Sequence, residues 1–233
     1  MSVAIMQPYF FPYLGYFQLV QAVDHFVLYD DVMFIKKGWI NRNRISNHNR
    51  IFWIRAPIQK LSQNKTIRDS LIAWDAGFSS KLIVQLHSSY KKAPYFNQVI
   101  GIIENVIYKK PSNLAEFAGE SIISVFNYLG VKKNIYYSSQ LEDCEKSGRV
   151  ERLISITNYF NDSMYINAIN GKHLYDKNVF SKHNIELRFL IPELPEYSES
   201  TRKRFIPGLS IIDILMWNDI PRIREMLTSY TLD

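Results

Sequence analysis

Short apolar runs alternate with stretches of helical spacing along most of the chain. Val3-Ala4-Ile5-Met6 is a continuous apolar run of the kind that forms a buried strand. Tyr13 to Val23 then sets Leu14, Phe17, Leu19 and Val20 near one face of a helix. His25 to Tyr29 is a second apolar run, ended by Asp30-Asp31. A strand–helix–strand unit of this size predicts parallel strands joined by a right-handed crossover. In such sheets the site lies beyond the carboxyl ends of the strands. Those ends are Gln7, with its aromatic loop, and the Asp30-Asp31 pair, which should lie close together.

A polar stretch runs on to Arg50, and Ile51-Phe52-Trp53-Ile54 reads as another strand. Residues 79–91, 96–108 and 113–129 read as helices, separated by Pro94 and Pro111. A strand at Asn134–Tyr137 is ended by Ser138-Ser139. There follow a helix over 148–161, a strand over 163–166, a loop at Asn167–Gly171 and a helical turn at Leu174-Tyr175. Ile185 to Leu190 reads as the last strand, before helices over 210–217 and 220–228. This order predicts an α/β, Rossmann-like three-layer fold with a mostly parallel sheet. The helices over 79–129 break the alternation and read as a cap or insertion. Pro192 to Arg204 reads as a long surface loop, since too few residues follow it for a second core. The expectation is therefore a single α/β domain over 1–233.

Composition narrows the class. A hydrophobic content of 47% fits a globular protein, and no run of eighteen apolar residues occurs, so membrane insertion is not expected. The first residues lack the basic flank, apolar stretch and small-residue cleavage site of a signal peptide, so the chain reads as mature. The single cysteine, Cys144, fits a reducing, cytoplasmic setting. Its acidic neighbours Glu142, Asp143 and Glu145 would hold the thiol protonated, which argues against a nucleophile. The formal charge is +6, and it is concentrated. From Asp31 to Lys65 stand Lys36, Lys37, Arg42, Arg44, Arg50, Arg55, Lys60 and Lys65, against Asp31 alone. That stretch is either a solvated face or the surface that meets an anionic partner, a nucleotide diphosphate or RNA.

Three stretches carry candidate chemistry. Gln7-Pro8-Tyr9-Phe10-Phe11-Pro12-Tyr13 is a loop stiffened by two prolines, with rings that can stack on a base or sugar. Phe10 and Phe11 read as a hydrophobic plug; Gln7, Tyr9 and Tyr13 as substrate contacts. Asp30 and Asp31 are candidates to take a proton from an amine or hold a sugar hydroxyl, the alternative being a cap or a pair with Arg42 or Arg44. In Gly38-Trp39-Ile40-Asn41-Arg42-Asn43-Arg44 the alternating amides and guanidiniums suit a phosphate or planar anion, with the arginines on one face of an extended strand and the asparagines on the other. Ser210 is placed to cap a helix, with Asp213 in the capping-box position, and its backbone could also meet a phosphate. The five histidines, His25, His48, His87, His173 and His183, neither pair at metal spacing nor follow a nucleophile. Each reads as structural. No phosphate loop, Gly-x-Ser-x-Gly or dinucleotide motif is present, and neither metal nor cofactor is expected.

These residues resemble the WbqC-like family of bacterial O-antigen gene clusters. The resemblance lies in Met6-Gln7-Pro8-Tyr9-Phe10-Phe11-Pro12-Tyr13 with Gly15-Tyr16, Tyr29-Asp30-Asp31-Val32, and Gly38-Trp39-Ile40-Asn41-Arg42-Asn43. Tyr90 with Ala93-Pro94-Tyr95-Phe96, Tyr165-Ile166-Asn167 with Gly171, and Pro207 to Asp213 extend it over essentially the whole chain. It implies surface-polysaccharide (lipopolysaccharide) biosynthesis, with glycine transferred to the amine of a dTDP- or UDP-linked amino sugar. In that scheme Asp30 or Asp31 is the amine-orienting base. Gln7, Tyr9, Tyr13, Asn41, Arg42, Asn43, Tyr95 and Ser210 are the substrate contacts. The activated glycine donor, on tRNA, on a carrier protein or otherwise, is left open, as is self-association into a homo-oligomer. A nucleotide-binding ligase or nucleotidyltransferase, and a non-catalytic nucleotide-sugar-binding protein, are the competing classes.

Overall fold

The apolar runs are continuous because the strands are buried on both faces, and their alternate residues enter two different cores. In the computed structural model, Ala4, Phe26, Leu28, Ile166 and Leu190 face one cluster of buried side chains. Val3, Ile5, Val27, Tyr165, Leu187 and Phe189 face the other. The structure describes all residues except 48–49, 76, 143, 145–147 and 198–204. His48, Asp143, Glu145 and the end of the long loop after Pro192 lie outside the described residues.

The strands are β1 (Ser2–Met6), β2 (His25–Leu28), β3 (Arg42–Asn47), β4 (Arg50–Arg55), β5 (Asn134–Tyr137), β6 (Met164–Ala168), β7 (Glu186–Pro192) and β8 (Tyr230–Leu232). The helices are α1 (Leu14–Gln21), α2 (Phe78–Tyr90), α3 (Phe96–Tyr108), α4 (Leu114–Tyr128), α5 (Arg149–Tyr159), α6 (Lys177–Ser181), α7 (Ile211–Trp217) and α8 (Ile220–Thr228). Six strands form one sheet in the order β5-β2-β1-β6-β7-β8, parallel except for β8. Side chains of α1, α4, α7 and α8 fill the first core and those of α5 and α6 the second, so helices cover both faces in a Rossmann-like three-layer fold. Among the described residues no helix is long and apolar enough to cross a membrane.

Two strands differ from the sequence reading. β7 is not the last: β8 pairs with it antiparallel at the sheet's edge, three residues too short to give a periodic signal. β3 lies in the stretch that reads as polar and forms a two-stranded antiparallel sheet with β4. Its outward residues are arginines and one of its buried residues is Asn43, so hydrophobicity does not mark it. Of the helices over 79–129, α4 packs against the sheet. Gly119 of α4 lies against Leu28 and Tyr137, so close that a Cβ there would sit 2.3 Å from the Tyr137 hydroxyl.

The topology contains one switch point. From β1 the chain moves outward through β2 to β5, then returns to the opposite side of β1 and continues through β6 to β8. The register of β1 on β2 runs through to Met6↔Leu28. That of β1 on β6 ends at Val3↔Tyr165. Beyond that point the two strands part, and a crevice opens at their carboxyl ends, where open α/β sheets receive ligands.

Candidate functional site

A cavity of about 880 Å³ occupies this crevice, within the size range of small-molecule sites. Its floor is built from strand ends: Met6 of β1 and Gln7 after it, Tyr29 after β2, Asn167 and Ala168 of β6, and Leu190 and Pro192 of β7. The aromatic loop contributes Tyr9, Pro12 and Tyr13 to the lining, and Arg149 and Leu153 of α5 join it with Tyr165 and Tyr175. Trp39, Asn43 and Arg44 also belong to it, with Met33 and Ile35.

The aromatic loop is held from beneath. Phe10 and Phe11 are buried, and Phe11 has φ +40°, a conformation unfavourable for a bulky side chain that surrounding contacts must enforce. Those contacts are specific. Phe11 donates its N–H to Ser121 Oγ at 2.9 Å. Its carbonyl accepts from Asn43 Nδ2 at 2.6 Å and from Ser210 Oγ at 2.7 Å. The Tyr16 hydroxyl, in turn, donates to the Gln7 carbonyl at 2.9 Å. The loop is fixed at both ends, with Tyr9 and Tyr13 directed to the cavity.

Burial raises the pKa of both phenols, that of Tyr9 up to about 12 with a smaller push from Tyr13. Tyr29 is also raised by burial, against the opposing pull of Arg152, which bonds to it. All three are neutral hydrogen-bond donors at physiological pH. Arg44 lines the cavity, donates from Nη2 to the Gly208 carbonyl at 3.0 Å, and has a buried Nε with no partner. No carboxylate, histidine or cysteine is among the described residues lining the cavity, and no group of described residues has the donors to hold a metal ion. Arg44 and Arg149 are the only charged side chains among the described residues lining the chamber, a balance that favours an anion.

The structure thus brings Gln7, Tyr9, Tyr13 and Asn43 to one cavity and sets the other sequence candidates outside its lining. Asp30 is buried, accepting from Ser139 N at 2.9 Å and Ser139 Oγ at 2.7 Å. The Ser138 hydroxyl lies 3.0 Å from Asp30 Oδ1 and 2.6 Å from Asp31 Oδ1. Asp31 pairs with the buried guanidinium of Arg152 at 2.8 Å, rather than with Arg42 or Arg44. Asn41 donates to the Ala56 carbonyl at 3.1 Å. Arg42 bonds the carbonyls of Gly38 and Lys37 and stacks on Trp53. Tyr95 precedes α3, with its N–H on the Met216 carbonyl. Ser210 is wholly buried and caps α7, but no capping box forms: Asp213 instead accepts from Tyr90 and Tyr197.

Several lining residues were not candidates from sequence: Tyr29, Arg149, Tyr165, Asn167 and Tyr175. Asn167 and Tyr29 sit at strand ends beside the crevice, so the strand order would have singled them out. Arg149 and Tyr175 come from elements distant in sequence and carry no local signal.

The chain belongs to the WbqC-like protein family, whose model matches residues 7–225. It is 26% identical over 216 residues to "Uncharacterized protein Rv1507c" of Mycobacterium tuberculosis (strain ATCC 25618 / H37Rv), the match covering 92% of each chain. No solved structure matches it.

Proposed function

We propose that this protein is a transferase of bacterial surface-polysaccharide (O-antigen) biosynthesis that N-acylates a nucleotide-linked amino sugar, glycine being the acyl group. The observation that carries this reading is the chamber at the switch point, whose described lining holds two arginines and no carboxylate. A nucleoside diphosphate brings negative charge that Arg44 and Arg149, which both line the cavity, neutralise. The rings of Tyr9, Tyr13 and Trp39 offer faces to base and sugar. The amides of Gln7, Asn167 and Asn170 are suited to sugar hydroxyls.

In the reaction the neutral amine attacks the carbonyl carbon of an activated glycine. A C–N bond forms, the bond from carbonyl carbon to leaving group breaks, and the amine proton ends on the leaving group. The carbonyl oxygen becomes an oxyanion during attack, and protonated phenols are the donors such a charge needs. Their raised pKa values keep Tyr9, Tyr13 and Tyr29 in that form. Asp30 and Asp31 serve here as positioning residues. They fix the Ser138-Ser139 turn and Arg152, and Arg152 holds Tyr29 at the cavity floor. The test is incubation with dTDP- and UDP-linked amino sugars and each class of activated glycine. A glycyl mass increment on the sugar supports the reading, and unchanged sugars with every donor overturn it.

A second reading, a protein that binds the nucleotide sugar without turnover, is favoured by the lack of histidine, cysteine or carboxylate in the described lining. Tight binding with no product would select it.

A further inference from the structure

The hairpin of β3 and β4 carries a surface that extends beyond the sugar site, through Arg42, Trp53 and Arg55, none of which lines the cavity. Across its register Arg44 faces Trp53 and Arg42 faces Arg55, so Arg42, Arg44, Trp53 and Arg55 share one side of the ribbon. Trp39 lies over the same side, stacked on Trp53 with ring centroids 5.6 Å apart. Arg42 stands 4.3 Å over the Trp53 ring and Arg44 5.3 Å over that of Trp39. Both indoles are more than a third exposed, at 39% and 38%. From Val32 to Arg68 there are nine lysines and arginines and no carboxylate. An exposed pair of indoles among guanidiniums suits a partner that is both anionic and aromatic.

We infer that this ribbon binds the single-stranded 3′ end of an RNA, which delivers the acyl group; the inference rests on the transferase reading above. Unpaired bases stack on indoles regardless of sequence, while lysines and arginines meet the phosphates. Continuity with the cavity favours this partner, because Trp39 and Arg44 belong to both the ribbon and the cavity wall. An RNA end laid along the ribbon carries its terminal aminoacyl ester into the chamber. There the sugar amine displaces the ribose oxygen, the C–N bond forms as the C–O bond breaks, and the proton passes to the ribose hydroxyl. A second copy of the chain fits less well: antiparallel pairing of two β4 edges about Phe52 and Trp53 sets Arg50 against Arg55 twice.

The experiment titrates the full chain with fluorescently labelled tRNA, intact or trimmed of its single-stranded 3′ end. The intact RNA should bind at least tenfold more tightly than the trimmed one and quench tryptophan fluorescence. Trp53→Ala should weaken binding by about 5- to 150-fold, with Trp53→Phe restoring part of the loss and circular dichroism unchanged in both. Equal binding of intact and trimmed RNA, no binding, or an unaffected Trp53→Ala would overturn the inference. Parallel transfer reactions with an RNA ester and a small thioester separate it from the transferase reading. Glycylation from the thioester without RNA binding sinks the RNA surface alone. RNA binding as described, with no product from either donor, upholds the surface and sinks the transferase.

Discussion

The side-chain amide of Asn43 donates to the carbonyls of both Phe11, at 2.6 Å, and Phe10, at 3.3 Å, tying the β3 strand to the loop after β1. A residue whose place in the sequence marks it as a phosphate or oxyanion donor therefore also sets the shape of the cavity wall. Asn43→Ala removes both bonds and should cost about 1 kcal/mol of stability, since the Phe11 carbonyl keeps its bond from Ser210 Oγ. Asn43→Asp should cost more, because a buried carboxylate would face two carbonyl oxygens. Urea denaturation of the two variants checks the order; an Asp variant as stable as the Ala variant contradicts it.

Asp31 and Arg152 make the second structural prediction. The guanidinium is buried, and removing its carboxylate partner should destabilise the fold by about 3 kcal/mol in Asp31→Ala, the low end for breaking such a pair. Asp31→Asn keeps an acceptor and should lose less. The same variant tests the positioning role: removal of a true general base lowers a rate by about a hundredfold or more. Asp31→Asn should slow glycyl transfer by less than about tenfold. A loss of a hundredfold with the fold intact would return the base role to this carboxylate.

Alkaline pH should unfold the protein cooperatively. Tyr9 has a folded-state pKa of about 12 against an ordinary value of 10.0, and burial pushes Tyr16, Tyr90 and Tyr165 well above it. Folded-state values above the unfolded value mean that the folded form holds its protons longer. The stabilisation is complete below pH 10 and is lost as the pH rises through 12. Tyrosinate absorbance from these rings should appear together with loss of far-ultraviolet circular dichroism. Ionisation of all the tyrosines near pH 10 in a still-folded protein would contradict their burial.

Gly15, at the start of α1, leaves room for Tyr13. A Cβ there would lie 2.5 Å from the Tyr13 ring and 2.9 Å from Pro192 Cβ. Gly15→Ala should displace the ring, weakening sugar-nucleotide binding by about tenfold, the worth of one good contact. Tyr13→Ala in the same background should add little, since the ring has already moved. Additive losses would show the two positions to be independent.

The parallel sheet was legible in the sequence because its strands are apolar on both faces, and the helices because their spacing is regular. β8 was too short to read; for β3 the alternation of arginines with Asn43 suggested an extended strand, but with no apolar run its bounds and its pairing with β4 were not legible. The candidate site was legible where one local segment makes it: Gln7, Tyr9 and Tyr13 share a proline-stiffened loop at a strand end. Arg149, Asn167 and Tyr175 reach the cavity only through the return of the chain across β1, which no short window records. Asp30 and Asp31 illustrate the converse: their position at a strand end pointed to the site, while their partners, Ser138, Ser139 and Arg152, lie over a hundred residues away.

The most direct test is isothermal titration of a dTDP-linked amino sugar into the protein and into Arg44→Gln. The account predicts saturable binding to the wild type at one site per chain. In the variant, shown to be folded by circular dichroism, binding should weaken by about tenfold or more, the loss of a charge-assisted hydrogen bond. No heat of binding to the wild type, or equal affinity in both, would contradict a nucleotide-sugar site at the parting of β1 and β6.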